Sequence, residues 1–295
     1  MTKIPVGETV RFAYRFTFSQ LGTIIGLIWL PMVAIALLEF LPYAMGDAGL
    51  RADQDPNAVG AAALRNIVFW LVSVLFYAMV NVAVVQQALG KRSGTAIVHF
   101  ALGRAEFRMW GASLLFLAIM FALCAGLLLA VIATGMVMQA LGSKVFAAIA
   151  VSAIFLAGVC VVFVSLVRLG FLLVPATVAE EKVSFERNWL LTAGNFWRIT
   201  AILFLVTLPT AVVLMTAALA LMGKEFDALG QIASRISVEA FMERYQMILS
   251  AHASTMIGIN LILAPFTFGL TIGAAAAGYK AVTAVPKVDT GAKVS

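Results

Sequence analysis

Long stretches without a charged side chain are the feature that most constrains how this chain folds. Six segments are almost entirely apolar, and several of them contain no Asp, Glu, Lys or Arg. A helix needs ~20 such residues to cross the ~30 Å hydrocarbon core of a bilayer, because each residue rises ~1.5 Å. Charged residues make up 12% of the chain, against about 25% in a soluble domain. The sequence therefore predicts an all-α integral membrane protein.

The expected spans follow from these apolar segments, and the whole chain, 1–295, is interpreted as a single transmembrane domain. The spans cover residues 21–45, 66–90, 109–143, 145–178, 199–222 and 250–279. The first contains Glu39 as its only charge. The third and fourth are longer than a bilayer requires, so we expect them to tilt, bend or project from the membrane.

The basic residues indicate how the spans are oriented. With the N-terminus in the cytoplasm, fourteen of the 20 Lys and Arg residues fall on the cytoplasmic side. This bias is typical of inner-membrane topology, so both termini are expected to be cytoplasmic. Six acidic residues lie on the same side, which leaves a net charge of +8. That charge favours contact with anionic lipid headgroups, and it gives no reason to expect nucleic acid.

Three phenylalanines indicate an internal repeat. Phe18, Phe107 and Phe196 are each separated by 89 residues, and each precedes an apolar run. We interpret residues 6–94, 95–183 and 184–283 as three units, each an interfacial helix followed by a two-span hairpin. Two segments on the outer side are a loop at 46–63 and an amphipathic helix at 224–249, and the tail at 284–295 is expected to be mobile.

Polar side chains within spans are the candidates for a functional site, because they are costly in lipid. The set consists of Arg168, Asn81, Asn260 and Glu39. Arg168 is expected either to hold an anionic group in a cavity or to extend to lipid phosphates from the end of a helix. The two asparagines either line a shared interior or bond neighbouring helices. Glu39 is either a proton-coupled carboxylate or an interfacial group.

Small and aromatic residues suggest how the helices pack and where the membrane surface lies. Glycines at four-residue spacing allow two helix backbones to touch, and the predicted packing residues are Gly22, Gly26, Gly126, Gly269 and Gly273. Amphipathic rings and cations prefer the headgroup region, and the predicted interfacial anchors are Trp110, Trp189, Trp197 and Arg198.

No catalytic motif is present in the sequence. There is no phosphate-binding glycine loop, nucleophile elbow or His-Glu metal motif, so we expect no enzymatic activity, metal or cofactor. Cys124 and Cys160 lie in apolar runs, and His99 and His252 are far apart. The two cysteines are interpreted as small buried packing residues, and the two histidines do not have the spacing of metal ligands.

The segment at 184–199 resembles a pattern found in a family of membrane proteins. Its matching positions are Trp189, Leu190, Thr192, Gly194, Asn195, Trp197 and Arg198. The segment is similar to the helix before a span in the membrane domain of bacterial membrane-anchored glycerophosphodiester phosphodiesterases, and in related uncharacterised inner-membrane proteins. The hydrolase activity of those enzymes belongs to a separate soluble domain. The resemblance therefore implies a membrane-domain architecture and no catalytic residue.

Two functions remain open from the sequence. The first is a non-enzymatic scaffold or accessory subunit of a complex in the bacterial inner membrane, with another membrane protein as its partner. The alternative is a transporter of a small molecule or lipid, with a cavity between the repeat units. That cavity would be lined by the intramembrane set described above.

Overall fold

A computed structural model describes residues 3–44, 56–92, 100–140, 142, 144–232 and 236–284. Within these ranges the chain forms nine helices and no strand. They are α1 (Val6–Ser19), α2 (Leu21–Ala44), α3 (Pro56–Leu89), α4 (Arg104–Ala140), α5 (Lys144–Gly170), α6 (Leu173–Ala179), α7 (Phe185–Leu191), α8 (Phe196–Ile232) and α9 (Val238–Thr283). Six helical segments in this part of the chain are long and apolar enough to cross a membrane. The all-α polytopic fold is therefore confirmed.

The fourth span is interrupted, which the sequence analysis did not predict. α5 ends at Gly170, and a short turn leads to α6. Pro175 lies in the first turn of α6, where backbone N–H groups have no hydrogen-bond partner within the helix, so the absence of an N–H on proline costs nothing. A single helix running through this region would instead place the proline in its interior, where it breaks the hydrogen-bond ladder. The apolar side chains of α6 are nonetheless buried, so this short helix lies inside the bundle.

Residues 224–249 do not form the single amphipathic helix that was expected. α8 continues to Ile232, and the side chain of Ser237 starts α9 by accepting a hydrogen bond of 3.2 Å from the Ala240 N–H. His252 Nε2 lies 3.2 Å from Glu225 Oε2 and links the two helices. The described part of this segment is therefore a helical hairpin that extends both spans.

α9 occupies the centre of the bundle and packs against α1, α2, α3 and α8. Glycines allow α1 to approach it closely. A Cβ placed on Gly269 would lie 2.8 Å from Thr17 Cγ2, and one on Gly273 would lie 3.4 Å from Ala13 Cα. Gly22 and Gly126 differ from this pattern, because a Cβ on either would have no heavy atom within 4 Å. Gly26 is partly exposed. Of the predicted packing glycines, Gly269 and Gly273 therefore lie at a close helix contact, whereas Gly22 and Gly126 do not.

The buried core is concentrated at one end of the bundle, which carries Lys91, Arg108, Arg168, Arg198 and Lys280 and is called the basic end below. One buried cluster joins α2, α3 and α9 with parts of α4 and α6, and a second joins α1, α8 and α9 with the end of α5. In contrast, the most apolar 18-residue windows of α4 and α5 bury none of their residues. This hairpin packs on the bundle mainly near the basic end and otherwise faces outward.

The helix order agrees only in part with three identical units. A short helix precedes the span pairs α2–α3 and α8–α9, but residues 100–103 before α4 are not helical. The repeat itself stays a prediction. Of the predicted 46–63 loop, residues 56–63 belong to α3 and 46–55 lie outside the described residues. Residues 285–295 of the predicted tail and His99 also lie outside them.

Candidate functional site

A carboxylate and a tyrosine meet between the two helices of the first hairpin. Glu39 lies about 27 Å along α2 from Leu21, at ~1.5 Å per residue. Tyr77 projects from the antiparallel helix α3, and its hydroxyl donates a long hydrogen bond of 3.4 Å to Glu39 Oε1. Within the described chain, no Lys, Arg or His forms an ion pair with Glu39. A carboxylate in a predicted span therefore lacks a compensating cation there.

A cavity of about 320 Å³ opens on one side of this pair. It lies between α2, α3, α8 and α9, and its polar lining comes from Glu39, Tyr77, Asn260 and Thr267. The Thr267 hydroxyl already donates to Leu263 O at 3.2 Å. Among the described residues, the Asn260 amide has no hydrogen-bond partner. The remaining lining is apolar and comes from Met32, Ile35, Ala36, Leu214, Ile257, Leu261, Ala264 and Phe268.

A second cavity of about 350 Å³ lies on the other side of the pair, between α2 and α3. Its walls include the rings of Phe69 and Trp70 together with Glu39 and Tyr77. Asn66 also lines it, and its Oδ1 atom is buried without a hydrogen-bond partner. Buried polar atoms are normally paired, so an orphaned carbonyl at a cavity wall is a candidate ligand contact.

The structure brings together only two of the four intramembrane residues selected from the sequence. Glu39 and Asn260 share the 320 Å³ cavity, whereas Asn81 and Arg168 line neither of the two cavities. Asn81 is half-buried on α3. The Arg168 guanidinium lies 3.6 Å from the centre of the Trp189 ring, and its Nη2 donates to Trp189 O at 2.7 Å. Arg168 thus joins α5 to α7 at the basic end and does not complete the expected cavity.

Tyr77 and Asn66 are the site residues that the sequence analysis missed. Both lie in α3, near or within the second apolar run, and Asn66 begins the predicted span. Polar groups in such a run were the criterion for selecting Asn81, so the same criterion would have selected Asn66. Tyr77 gave a weaker signal, because tyrosine is common in membrane proteins as an interfacial residue.

The segment that resembles a known family has a structural role. The Ser184 hydroxyl oxygen accepts a hydrogen bond of 3.2 Å from the Arg187 N–H and so caps the start of α7. α7 and α8 are separated by a turn in which Gly194 has φ 73°, a left-handed conformation that suits glycine. Asn195 Oδ1 accepts from the buried Ile4 N–H at 2.9 Å, and Arg198 donates to Ile4 O at 3.0 Å. The segment therefore fixes the start of the chain against α8.

The four predicted interfacial anchors have different surroundings. Trp197 is 77% exposed, as an anchor in lipid requires. Trp110 packs inward and donates from Nε1 to Leu71 O at 3.2 Å. Trp189 and Arg198 make the intramolecular contacts described above. Only Trp197 is therefore largely free of protein contacts.

At the basic end, lysine side chains donate hydrogen bonds to the last carbonyl groups of helices. Lys280 Nζ donates to Ala88 O at 2.9 Å, near the end of α3, and Lys91 Nζ donates to Ala179 O at 3.2 Å, at the end of α6. These carbonyls lack partners within their own helices, and a cation there also opposes the negative end of the helix dipole. Part of the predicted lipid-facing charge is thus committed to contacts within the protein.

Within the described residues, no group of three or more His, Cys, Asp or Glu side chains is arranged to hold a metal ion. Cys124 and Cys160 are free and exposed on the outward-facing α4–α5 hairpin, so the expectation that both are buried packing residues was wrong. The comparisons with known proteins provide no further assignment: no protein-family model, curated protein or solved structure matches the chain.

Proposed function

We propose that this chain is a transporter of a small molecule or lipid, with a binding site around Glu39 inside the membrane. The supporting observation is the 320 Å³ cavity that Glu39, Tyr77 and Asn260 line together. Its walls come from α2 and α3 of the first predicted unit and from α8 and α9 of the third. A transporter site between repeat units has this arrangement.

The energetic cost of the polar residues supports a ligand-binding role. A charged side chain at the centre of a span costs ~2.5–3.5 kcal/mol on insertion scales. Glu39 lies three residues before the end of the apolar span Leu21–Pro42 and so bears only part of this cost. Intramolecular partners offset little of this cost at Glu39, because its described contact is a single 3.4 Å hydrogen bond from Tyr77. Polar groups that are retained in a span at such a cost commonly lie on a substrate or ion pathway.

The cellular setting is part of the same proposal. We place the protein in a bacterial inner membrane, with the basic end and both termini in the cytoplasm, on the basis of the basic-residue bias. The cations at that end that are not used in helix capping then face anionic headgroups. The resemblance of residues 184–199 to an inner-membrane family supports this setting. Glu39 lies toward the outer end of α2 in this orientation.

A cysteine-accessibility experiment tests whether the cavity admits water and solutes. Asn260→Cys is introduced into a background with Cys124→Ala and Cys160→Ala, and the protein is reconstituted in nanodiscs. Phe204→Cys is the matched control, since Phe204 is 61% exposed on α8 and lines neither cavity. The reaction with a small, cationic and membrane-impermeant methanethiosulfonate is followed by mass spectrometry.

We expect the thiol at position 260 to react about tenfold faster or more, because the reactive thiolate forms in water and is disfavoured in hydrocarbon. Equal, slow reaction at both positions would contradict the transport proposal, since a site closed to water cannot exchange a solute with it.

A second candidate function is a non-enzymatic scaffold or accessory subunit. The α4–α5 hairpin favours it, because the most apolar windows of both helices bury no residue within the protein. Leu129, Phe146 and Leu156 are among its largely exposed side chains. In this alternative another membrane protein covers the hairpin. Slow labelling of Asn260→Cys would leave this candidate in place after removing the transporter.

A further inference from the structure

We propose that the site around Glu39 binds a lipophilic organic cation. This inference rests on the proposed function and specifies its ligand class. The charged group of the ligand lies against Glu39 and Tyr77, where the two cavities meet, and its apolar part occupies the surrounding space. Three independent steps lead to it: the charge balance of the site, its hydrogen-bonding groups and the aromatic lining.

The charge balance favours a cation. Among the residues that the structure describes, Glu39 is the only acidic or basic one that lines either of the two cavities. Arg65, which precedes Asn66, lines neither of them. A cationic ligand therefore supplies the missing countercharge in a low-dielectric setting, where the attraction between opposite charges is strong. An anionic ligand would add a second negative charge beside the first.

The hydrogen-bonding groups agree with this charge. The Tyr77 hydroxyl already donates to Glu39, so that donor is occupied. Asn66 Oδ1 is buried and has no donor facing it, and the carboxylate of Glu39 accepts only the one described bond. Glu39 and Asn66 Oδ1 thus both have unused capacity to accept, and the unpaired Asn260 amide can either accept or donate. A ligand with acidic N–H or C–H groups next to a positive charge satisfies the two acceptors, whereas a phosphate or carboxylate does not.

Aromatic rings provide the third step. Phe69, Trp70 and Tyr77 line the 350 Å³ cavity, and Phe268 lines the 320 Å³ cavity with Tyr77. The face of an aromatic ring carries partial negative charge and attracts cations, tryptophan most strongly. Aliphatic side chains such as Met32, Ile35 and Leu261 form much of the remaining wall, which suits an apolar ligand body. Cavities of about 300–1,000 Å³ are the usual size for small-molecule sites.

The test compares two ions of almost the same shape and opposite charge. Purified full-length protein is placed in phosphatidylcholine nanodiscs, which carry no net lipid charge. Binding of radiolabelled tetraphenylphosphonium and of tetraphenylborate is measured by equilibrium dialysis, with protein-free nanodiscs as background. We expect saturable binding of the phosphonium cation and none of the borate anion. Equal binding of the two ions, or binding no greater than the background, would overturn the inference.

Variants then assign the binding to Glu39. Glu39→Gln keeps the shape and removes the charge, and we expect it to weaken phosphonium binding by about tenfold or more. Glu39→Asp keeps the charge and retains much of the affinity. Glu225→Gln is the matched control, because Glu225 pairs with His252 and lines neither cavity beside Glu39. If Glu39→Gln binds the phosphonium cation with wild-type affinity, the assignment to Glu39 is contradicted. If this variant does not fold, the comparison of the two ions on the wild-type protein still decides the inference.

The outcome is separable from that of the transport proposal. If Asn260→Cys is labelled rapidly by the water-soluble reagent but the wild-type protein binds neither ion, the cavity is accessible and only the ligand class is wrong. If Asn260→Cys is labelled as slowly as Phe204→Cys, the transport proposal itself is contradicted.

Discussion

The contact between α9 and α1 predicts that one added methyl group destabilises the protein. In Gly269→Ala the new Cβ would lie 2.8 Å from both Cγ2 and Oγ1 of Thr17 and 3.2 Å from Ile24 Cδ1. Thr17 cannot move away easily, because it is fully buried and its hydroxyl donates to Ala13 O at 2.8 Å. Its β-branched side chain is also restricted to few rotamers. The helices must therefore separate slightly.

The magnitude follows from two opposing terms. Overpacking a well-packed contact costs about 1–3 kcal/mol, while replacing glycine by alanine within a helix gains up to about 1 kcal/mol. Gly126→Ala receives only the second term, since nothing lies within 4 Å of its Cβ. Subtracting the two variants cancels the helix term, so Gly269→Ala should be less stable than Gly126→Ala by about 1–3 kcal/mol.

The assay is equilibrium unfolding in mixed micelles, with the mole fraction of sodium dodecyl sulfate as the denaturant and circular dichroism as the signal. Coinciding unfolding midpoints for Gly269→Ala and Gly126→Ala would refute the reasoning. A double-mutant cycle identifies the cause. Because Thr17→Ala removes both atoms at 2.8 Å, Gly269→Ala should cost much less in that background.

Two further predictions use the same assay. Asn195→Ala leaves the buried Ile4 N–H without its 2.9 Å acceptor, which should cost about 1–3 kcal/mol of unfolding free energy; an unchanged midpoint would show that this bond does not hold the N-terminal segment. Lys280→Met removes the 2.9 Å bond to Ala88 O and the cation above Phe12 and should cost about 1 kcal/mol, reduced at high salt if the charge contributes. Lys280→Arg should retain most of that stability.

The sequence predicts the spans because hydropathy is a local property. Each of the six apolar runs becomes a long helical segment, and the boundaries differ where polar residues continue a helix beyond the apolar run. α3 begins at Pro56 although the run begins near residue 66, and α9 begins at Val238 although the run begins near residue 250. Pro175 was a local signal for the break after Gly170. The length of the apolar run alone does not reveal this break, because the helices on both sides of it belong to one continuous run.

Contacts between helices were less predictable, because they depend on which face each helix presents. Gly22 and Gly26 have the same spacing as Gly269 and Gly273. A Cβ on Gly22 would meet no heavy atom within 4 Å, whereas Gly269 and Gly273 both have atoms close enough to exclude a side chain. A spacing rule gives residues that share a helix face. It does not give the direction of that face, which is set by the partner helix.

The candidate site shows the same limit and also its physical consequence. Glu39, Asn81, Asn260 and Arg168 were selected because each is polar within an apolar run, but the structure satisfies them differently. Arg168 is close enough to the bundle end for Trp189 to stack on it and accept its hydrogen bond. Glu39 has neither a cation nor more than one described hydrogen bond. Cost in lipid alone therefore does not identify a functional residue. A better indicator is a polar residue that lines a cavity and whose cost of burial in lipid no contact within the protein offsets. A ligand can supply the missing contact to such a residue.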